Sequence, residues 1–455
     1  MKTFDVVIIG AGPGGMNAGI MLSNAGKNVA MIQDIQDSFG GTCLNRGCMP
    51  TKSLLKAATA YRYAKQGEKY GLDLWAEPVD LSKLWEVTEG DLNMLRGAVQ
   101  GMIAGAGITT FRGKGSFESE HVIAIHKADG SRETIRGETI IVATGSTPRE
   151  ISWAPFDGQH ILSSDQMLAN TEMPEKLLIV GGGAIGCEFA TLYNTFGSEV
   201  ILVESMESLL PREDREAGKA LQAAFATQGI EVKVGTAIER LFIIDGKVKV
   251  EFKNGDTIND IDKVLLSIGR SPNIEGLNLA AAGVQTEQGA IKVNELMQTS
   301  IPHIHALGDV TGGMTLAHSA EKEGQLLAQN LLQSSDHALN TLAVPRLAFS
   351  YPEVAAVGVS REGDGIRAFT IPQVPNGRSV VDKVAPAFVK VFLKEQTSEI
   401  AGAVIIGESA TEMIHEMALA VENGLTLEQV GKTVHAHPTH SKNILYAMHS
   451  GGHGA

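Results

Sequence analysis

Two cysteines lie five positions apart in the segment GGTCLNRGCMPTK, which runs from Gly40 to Lys52. Such a pair serves metal ligation, a structural disulfide, or a redox reaction in which the pair opens and closes. Cys43 and Cys48 have no second cysteine pair or histidine cluster nearby in the sequence. Because a zinc site needs about four ligands, the segment is a poor candidate for zinc.

The small number of cysteines and the expected compartment favour a redox role over a structural one. The chain of 455 residues has three cysteines, too few for a disulfide framework. No run approaches the roughly 18 apolar residues of a membrane helix, and the apolar stretch at 6–9 lacks a basic region before it, so we expect a cytoplasmic protein. Thiols are kept reduced there, and a disulfide that forms is more often catalytic or redox-sensing. The pair also opens an apolar helical run, and a helix start lowers the pKa of a thiol.

A strand–turn–helix unit of the kind that binds dinucleotides occurs twice in the chain. The first copy has a strand over 4–9, the turn GAGPGG and a helix over 16–25; the second has a strand over 176–180, the turn GGGAIG, a helix to about 196 and a strand over 199–203. The first glycine of such a turn makes the bend, the second lets the backbone approach a pyrophosphate, and the third lets helix and sheet pack closely. Two dinucleotide sites are therefore predicted, at Gly10, Gly12 and Gly15 and at Gly181, Gly183 and Gly186.

The residue that ends the next strand of each unit distinguishes the two nucleotides. Glu204 lies 23 positions after Gly181, where a carboxylate accepts hydrogen bonds from a ribose 2′-OH, and no arginine follows directly to hold a 2′-phosphate. We therefore expect the second unit to bind NAD rather than NADP. The same offset from Gly10 falls on Gln33, whose amide can also bond a ribose, with Asp34 beside it.

Composition limits the class of partner. The formal net charge is −14, and an acidic surface repels nucleic acid and anionic membranes, so we expect neither as a partner. A hydrophobic content of 43% supports large cores, and the length predicts about three domains. Small molecules and other proteins remain as partners, and no metal site is predicted.

Further elements are expected after the glycine turns. Two strand–turn segments, IIVATG at 140–145 and IHALGD at 304–309, would return the chain to a bound cofactor. From about residue 342 short alternating strands are followed by helices, which indicates a separate α+β domain. The other predicted elements are a closing strand at 263–270, a helix at 317–332, strands at 388–392 and 401–406, and helices from about 409 and 426.

Several motifs together resemble one family over nearly the whole chain. The chain is similar to the flavin-dependent pyridine nucleotide-disulfide oxidoreductases, and most similar to the members that oxidise dihydrolipoyl thiols with NAD. The motifs are the two glycine turns, GGTCLNRGCMPTK, ATGSTPR, SIGRSPN, ALGDVTGG and HAHPTHSK. The resemblance implies a homodimer that contains FAD and exchanges electrons with NAD, and it makes the core of a 2-oxoacid dehydrogenase complex a candidate partner.

The resemblance also implies an architecture. It predicts an α/β fold with two Rossmann-like dinucleotide-binding domains, one for FAD and one for NAD, and a C-terminal α+β dimerisation domain. The expected boundaries are 1–148 for the first part of the FAD-binding domain, 149–272 for the NAD-binding domain, 273–341 for a central domain that completes the FAD site, and 342–455 for the dimerisation domain.

Roles in catalysis follow from the same resemblance. Cys48 would face the flavin as a thiolate, and Cys43 would form a mixed disulfide with substrate. Lys52 lies one helical turn after Cys48 and would place positive charge near the flavin and the thiolate, while Glu188 matches the residue that pairs with this lysine. His437 would exchange protons with substrate in the active site of the other subunit.

Cofactor contacts are implied as well. Asp309 would face the ribityl or phosphate region of the flavin, and Thr144 would lie on another turn that contacts it. The third cysteine, Cys187, is expected to be a small buried filler. The predicted cofactor-binding residues are Gly10, Gly12, Gly15, Gln33, Thr42, Lys52, Thr144, Gly145, Asp309, Gly181, Gly183, Gly186, Glu204, Gly269 and Arg270.

Position 442 departs from the family pattern. Members of the family carry a glutamate five positions after the histidine, which orients the imidazole and stabilises its charged form; here Lys442 follows His437. A carboxylate neighbour raises a histidine pKa and a cation lowers it. Three interpretations stay open: Lys442 extends into solvent and another carboxylate substitutes, His437 works unaided at lower efficiency, or the substrate is not dihydrolipoamide.

Arg46 is a second departure, because an apolar residue is usual at that position between the cysteines. A guanidinium there would lower a thiol pKa or meet an acidic substrate. The alternatives to dithiol oxidation are a reductase of another disulfide, metal ion or oxidant, and a flavin-loaded binding protein that does not turn over. A mercuric reductase would bring a C-terminal cysteine pair, which is not seen here, and glutathione reductases prefer NADPH, against Glu204.

Overall fold

The computed structural model describes residues 1–34, 39–363, 365–371 and 375–451. The strands, in chain order, are β1 (Lys2–Ile9), β2 (Val29–Gln33), β3 (Thr109–Arg112), β4 (Lys114–Ser119), β5 (Val122–His126), β6 (Arg132–Val142), β7 (Ser146–Pro148), β8 (Ile161–Leu162), β9 (Lys176–Val180), β10 (Glu199–Val203), β11 (Glu231–Lys233), β12 (Ile238–Ile244), β13 (Lys247–Phe252), β14 (Thr257–Ile261), β15 (Lys263–Leu266), β16 (Arg270–Pro272), β17 (Thr286–Glu287), β18 (Ala290–Ile291), β19 (Ile304–Ala306), β20 (Arg346–Ala348), β21 (Glu353–Gly358), β22 (Ile366–Thr370), β23 (Phe388–Lys394) and β24 (Ile400–Gly407).

The helices connect and cover these strands. They are α1 (Pro13–Asn24), α2 (Gly41–Arg46), α3 (Cys48–Lys65), α4 (Leu81–Gly105), α5 (Ser164–Leu168), α6 (Ala184–Phe196), α7 (Arg215–Thr227), α8 (Ala317–Gln333), α9 (Gly377–Asp382), α10 (Ala410–Asn423), α11 (Leu427–Gly431) and α12 (Lys442–Gly451). Short 3-10 helices lie at Gly67–Tyr70, Leu279–Ala282, Gly308–Thr311 and Thr341–Ala343. Among the described residues, no helix combines the length and the apolar content needed to cross a bilayer.

The chain divides into two compact units, each assembled from three separate segments. The first comprises Met1–Ser53, Trp85–Arg149 and Gly269–Leu339, and the second comprises Leu54–Leu84, Glu150–Ile268 and Asn340–Ala455. The four domain boundaries expected from the sequence stay a prediction.

The first unit is built on a seven-stranded sheet in the order β3-β2-β1-β6-β5-β4, with β19 also paired to β6. The strands β1, β2, β3, β6 and β19 are parallel, and β4 and β5 extend the sheet in antiparallel fashion. Val7 and Ile9 of β1 pack in one hydrophobic cluster, and Val6 and Ile8 pack in another. Burial on both faces is typical of a parallel sheet. Because these strands run in the same direction, their carboxyl ends lie along one edge of the sheet.

The second unit contains a parallel sheet in the order β11-β10-β9-β15-β8, a three-stranded antiparallel sheet β12-β13-β14, and a five-stranded antiparallel sheet β20-β21-β24-β23-β22. Helix α10 packs Met413 and Ile414 in the core of the last sheet, and α12 adds Ile444. The parallel sheet carries the second glycine turn at the carboxyl end of β9. The antiparallel sheet and its helices form the α+β structure expected after residue 342.

One buried histidine predicts how the stability of the first unit depends on pH. His305 lies on β19 and is 7% exposed, and its Nδ1 has no hydrogen-bond partner among the described residues. Burial, with a smaller effect of the nearby His303, lowers the pKa of His305 from 6.5 to about 4. Between those two values the unfolded state binds more protons than the folded state, so stability falls as the pH falls from 6.5 to 4.

The expected loss of unfolding free energy across this window is about 3 kcal/mol, since each pKa unit corresponds to about 1.4 kcal/mol. Urea unfolding of the wild type and of His305→Leu, measured between pH 4 and 7, tests it. The variant should lose less stability than the wild type as the pH falls. The exposed His449 provides the control, and His449→Gln should follow the wild type. Equal slopes for wild type and His305→Leu would show that this histidine is not responsible.

Candidate active site

The first glycine turn joins β1 to α1. Gly10 has φ +108°, a conformation that residues with a side chain rarely adopt, and a Cβ there would collide with the carbonyl oxygen of Ala143. A Cβ on Gly15 would collide with the carbonyl oxygen of Gly10, so α1 packs directly on the turn. A Cβ on Gly12 would meet nothing within 4 Å. This open space at the N-terminus of α1 leaves room for a pyrophosphate.

The second glycine turn repeats this geometry between β9 and α6. Gly181 has φ +107°, and a Cβ there would collide with the carbonyl oxygen of Ser267. A Cβ on Gly186 would collide with the carbonyl oxygen of Gly181, whereas one on Gly183 would meet nothing within 4 Å. Each unit therefore has one cradle of the same shape, with its second glycine facing open space.

Gln33 and Glu204, at and just after the ends of β2 and β10, bond the backbone of the glycine turns. Gln33 Oε1 accepts a hydrogen bond from the N–H of Ala11 at 2.9 Å, and Glu204 Oε2 accepts one from the N–H of Gly182 at 2.7 Å. Both donors follow the first glycine of their turn. Glu204 Oε1 also accepts from the N–H of Met206 at 2.8 Å. Because a carboxylate has about four acceptor sites, Glu204 can still accept a bond from a ribose hydroxyl.

The two cysteines lie on different helices. Cys43 is inside the short helix α2 and Cys48 is the first residue of α3, and both side chains are half-buried. Gly47 separates the helices, and a Cβ there would lie 2.9 Å from the carbonyl oxygen of Thr42. The sequence suggested one helix opened by the pair, whereas the structure has a break between the cysteines. The position of Cys48 at the positive end of α3 favours a thiolate.

The cysteine segment is held against the first glycine turn. The N–H of Gly40 donates to the carbonyl oxygen of Ala11 at 2.8 Å. A Cβ on Gly41 would lie 2.7 Å from the Cα of Gly12, so the two backbones pass at close range. The fold therefore brings Thr42 and the cysteine pair beside the turn that the sequence predicts to bind FAD.

The two thiols are electrostatically linked. The pKa of the Cys43 thiol is raised far above its usual range, first by its hydrogen bond with Cys48, then by burial and by the charge that Cys48 would carry. The Lys52 ammonium acts in the opposite direction. Cys43 therefore keeps its proton next to the sulfur of Cys48, and Cys48 is the member of the pair placed to hold negative charge.

The predicted pair of Lys52 and Glu188 is divided between the two units. Lys52 is half-buried in the first turn of α3, and its charge acts on Cys43. Glu188 is buried on α6, where its Oε1 accepts a hydrogen bond from the N–H of Phe349 at 3.0 Å. Lys52 belongs to the first unit and Glu188 to the second, so their pairing stays a prediction.

A chain of hydrogen bonds links the turn after β6 to Asp309. Ser146 Oγ donates to Asp309 Oδ2 at 2.5 Å. Arg270 Nε donates to Ser146 Oγ at 2.8 Å, and its Nη2 donates to the Ser146 carbonyl oxygen at 2.7 Å. Thr144 Oγ1 donates to the carbonyl oxygen of Asn273 at 2.8 Å. Ser146 was missed as a site residue, although it lies in the ATGSTPR motif.

Two short strands explain why these residues meet. Gly145 precedes β7 and Gly269 precedes β16, and the two strands pair antiparallel with Ser146 opposite Pro272. This pairing brings Arg270 to the turn that also carries Thr144. The sequence predicted Arg270 as a cofactor contact, and the structure shows its guanidinium bonded to the Ser146 side chain and backbone.

Glu323 on α8 is a second residue that the sequence analysis missed. Its Oε2 accepts a hydrogen bond from the N–H of Gly308 at 2.7 Å, and its Oε1 accepts one from the Ser319 hydroxyl at 3.3 Å. Burial raises the pKa of Glu323; its hydrogen bonds with Gly308 and Ser319 oppose this shift, and the neighbouring Asp309 adds to it. Glu323 therefore fixes the backbone directly before Asp309.

The C-terminal motif places three histidines in different surroundings. His435 Nε2 lies 3.0 Å from Glu416 Oε1, and His440 Nε2 lies 2.9 Å from Asp382 Oδ2. His437 is exposed, and no carboxylate of the described residues bonds its imidazole within one subunit. Within the described part of the chain, two of the three histidines thus have carboxylate partners, but the one predicted to transfer protons does not.

Lys442 is the first residue of α12 and is half-buried. A cation at a helix N-terminus faces the positive end of the helix dipole, where a glutamate would be favourable. Compared with the family pattern, this chain therefore lacks the expected carboxylate and has an unfavourable charge at the same position. Nothing else in the local structure explains the lysine.

The third cysteine, Cys187, directly follows the last glycine of the second glycine turn. Cys187 is fully buried at the start of α6, and its Sγ lies 3.5 Å from the carbonyl oxygen of Gly182. Burial raises the pKa of its thiol, and the charges of Glu188 and Glu204 add to the effect. These surroundings agree with a buried, unreactive thiol.

Two family models match almost the entire chain. The model described as pyridine nucleotide-disulphide oxidoreductase matches residues 4–324, and the model of its dimerisation domain matches residues 344–448. The chain belongs to the pyridine nucleotide-disulphide oxidoreductases. The family and the α/β fold class predicted from the sequence are thereby confirmed, and the dimerisation domain indicates that this oxidoreductase is a homodimer.

Curated relatives agree over the full length. A dihydrolipoyl dehydrogenase of Chlamydia muridarum is 36% identical over 446 residues, with 96% of this chain and 94% of the relative covered. One of Thermus scotoductus is 37% identical over 458 residues, with 98% and 97% covered. This oxidoreductase is thus similar to dihydrolipoyl dehydrogenases from two different bacteria.

Solved structures show the same fold. LpdA from Mycobacterium tuberculosis superimposes with a TM-score of 0.91 at 26% identity, covering 99% of both chains. The HOCl-induced flavoprotein disulfide reductase RclA from Escherichia coli, in its Cu(II) complex, superimposes with a TM-score of 0.88 at 26% identity, covering 99% of this chain and 100% of RclA.

FAD and NAD are the cofactors of this oxidoreductase, as predicted. The two glycine turns fit them, because each leaves open space beside its second glycine at a helix N-terminus. The turn with the adjacent cysteines belongs to the first unit, and the turn with Glu204 belongs to the second.

Proposed function

We propose that this oxidoreductase oxidises the dithiol of dihydrolipoamide, free or protein-bound, with NAD as the acceptor. The observation that carries the proposal is the placement of Cys43 and Cys48 in contact with each other beside the first glycine turn. The dihydrolipoyl dehydrogenases that match over the full chain support this substrate. The net reaction converts dihydrolipoamide and NAD⁺ into lipoamide, NADH and one proton.

The cysteines carry the thiol–disulfide exchange. A substrate thiolate attacks Cys43 in the Cys43–Cys48 disulfide, which forms a mixed disulfide and releases Cys48 as a thiolate. The second substrate sulfur then displaces Cys43, which closes the lipoamide ring and leaves the electron pair on the two cysteines. When bound, FAD and NAD supply the electron and hydride acceptors that regenerate the disulfide.

Charges around the pair support this direction of attack. Cys48 lies at the positive end of α3, which stabilises it as the leaving thiolate. Cys43 holds its proton in the reduced pair, because its hydrogen bond with Cys48 and its burial raise its pKa. Lys52 supplies positive charge to the pair. These features support Cys43 as the sulfur that meets substrate and Cys48 as the sulfur that faces FAD.

His437 is the proposed acid–base group, acting in the active site of the second subunit of the homodimer. Its exposed imidazole is available to a substrate thiol. We also propose that the dimer serves a 2-oxoacid dehydrogenase complex by binding its core, in keeping with the dihydrolipoyl dehydrogenases it matches.

A second candidate function is the reduction of another disulfide or oxidant by NADH. Lys442 favours it, because a proton relay for dihydrolipoamide lacks its usual carboxylate. The similar E. coli protein RclA is titled an HOCl-induced flavoprotein disulfide reductase. This candidate uses the same cysteines with the electron flow reversed.

Anaerobic stopped-flow reduction separates the two candidates. The FAD-loaded dimer is mixed with NADH in one experiment and with dihydrolipoamide in another, and the long-wavelength absorbance of a thiolate beside the flavin is followed. Dihydrolipoamide oxidation predicts this band with both reductants. A band with NADH and none with dihydrolipoamide would exclude dihydrolipoamide and favour the second candidate.

A further inference from the structure

Helix α4 contacts α2 and α3, the two helices that carry the cysteines. Arg96 Nε donates a hydrogen bond to Asn45 Oδ1 at 2.9 Å, although the residues are 51 positions apart. Asn45 lies on α2, between the two cysteines. On α3, the hydroxyl of Ser53 lies 3.2 Å from that of Thr88. Helix α4 therefore contacts both of the helices that carry the sulfurs.

Arg96 is itself held in place by its own helix. Its Nη1 donates to Asn93 Oδ1 at 2.9 Å and pairs with the carboxylate of Glu89. The side chain is 16% exposed. Because two partners on α4 already fix the guanidinium, it loses little further conformational entropy when it bonds Asn45. The bond to Asn45 can therefore hold α2 in place.

Helix α2 depends on such outside contacts. It has six residues, and its N-terminus has no side-chain cap; isolated helices below about 12 residues are marginal. Asn45 Nδ2 donates to the carbonyl oxygen of Gly41 at 2.9 Å, so the amide group that Arg96 holds also ties the two ends of α2 together. The bond from Arg96 thus fixes the helix that carries Cys43.

We infer that Arg96 is a positioning residue that sets the stability of the Cys43–Cys48 disulfide through Asn45. This inference rests on the proposed redox role of the pair. Cys48 is fixed by the long helix α3, and Arg96 keeps Cys43 near it. When the disulfide forms, the two thiols lose two protons and two electrons, which oxidised dithiothreitol accepts in the titration below. Positioning raises the effective concentration of one sulfur at the other and so favours the disulfide.

Loss of the guanidinium should therefore make the pair easier to reduce. In Arg96→Met, which keeps an unbranched side chain with a good helix propensity, the equilibrium constant for disulfide formation should fall about 3- to 10-fold. A tenfold change corresponds to a rise of about 30 mV in reduction potential. A merely structural residue would lower the unfolding midpoint without moving this potential.

The test equilibrates the FAD-loaded protein with mixtures of reduced and oxidised dithiothreitol, quenches by alkylation, and counts modified cysteines. Asn45→Ala should shift the potential at least as far as Arg96→Met does, because it removes both the bond from Arg96 and the bond to Gly41. The double variant should shift it no further than Asn45→Ala, because the bond between Arg96 and Asn45 is already lost there. Arg96→Lys, which keeps a donor and the charge, should recover part of the shift. The control is Lys83→Met on the same helix, which removes an exposed lysine 3.7 Å from Asp80.

The outcomes separate this inference from the proposed function. If the wild type forms no Cys43–Cys48 disulfide in any mixture, the proposed function fails. If the wild type titrates normally and Arg96→Met titrates at the same ratio, the positioning role is wrong and the proposed function stands. If Arg96→Met does not fold, the smaller shift expected of Arg96→Lys decides the result, and a wild-type potential in that variant would contradict the positioning role.

Discussion

Cys48→Ser and Cys43→Ser each abolish NAD-linked dithiol oxidation, with an expected loss in kcat/KM on the order of 10³-fold or more. The two sulfurs act as a unit, and removing either member of such a unit costs nearly as much as removing both. In Cys43→Ser no sulfur can form the mixed disulfide with substrate. In Cys48→Ser the disulfide of the pair cannot form, so a substrate thiolate has no S–S bond to attack.

Steady-state kinetics with dihydrolipoamide and NAD measures this loss. Cys187→Ala is the matched control, because Cys187 is fully buried in the second unit and has a raised thiol pKa. It should keep turnover within about twofold, because Cys187 is not a member of the pair that exchanges with substrate. Wild-type turnover in either Cys43→Ser or Cys48→Ser would contradict the assignment of the pair.

His437→Gln lowers dihydrolipoamide oxidation by about 10²- to 10⁴-fold, the usual contribution of a general acid–base group. Reduction of the disulfide by NADH should be unchanged, because that half-reaction takes no proton from a substrate thiol. Stopped-flow measurements of the two half-reactions separate these effects. The exposed His415 on α10 provides a control, and His415→Gln should behave as the wild type. An equal loss in both half-reactions would mean that His437 acts on folding or assembly.

Lys442→Glu distinguishes the three interpretations of the altered motif. If the lysine charge opposes the positive charge that His437 gains when it accepts a proton, the glutamate variant oxidises dihydrolipoamide faster, as steady-state kinetics would measure. Unchanged kinetics would show that the lysine side chain extends away from the histidine. No activity with dihydrolipoamide in either form would indicate that another compound is the substrate.

The local periodic elements were predictable from the sequence. Strands β9 and β10 have the predicted bounds, because apolar runs next to glycines leave little choice of register. Helix α8 begins at Ala317 as predicted and ends one residue later than expected. Helix α1 begins at Pro13, three residues before the prediction, because proline is well suited to the first helical position and its missing N–H removes no helical bond.

The long-range hydrogen bonds that position the site residues were not predictable from local sequence patterns. Ser146 reaches Asp309 across 163 positions, and Arg96 reaches Asn45 across 51. A sequence motif gives the type of residue at one place, whereas these bonds depend on the pairing of β7 with β16 and on the path of α4. The break at Gly47 was likewise hidden, since a glycine between two helical runs does not by itself end a helix.

The histidine motif shows the same limit. The resemblance identified His437 and the missing carboxylate at 442 from spacing alone. It gave no sign that His435 bonds Glu416 or that His440 bonds Asp382, because these carboxylates lie 19 and 58 positions away. The spacing of the motif therefore identified the histidine, but only the folded structure shows which carboxylates lie next to each imidazole.

A thiol count during anaerobic titration tests the central claim most directly. The chain has three cysteines, and the account predicts one reactive thiol per subunit in the oxidised, denatured protein and three after two electrons have been added from dihydrolipoamide to the yellow dimer. A count that stays constant on two-electron reduction, or a protein that remains colourless after reconstitution with FAD, would contradict it.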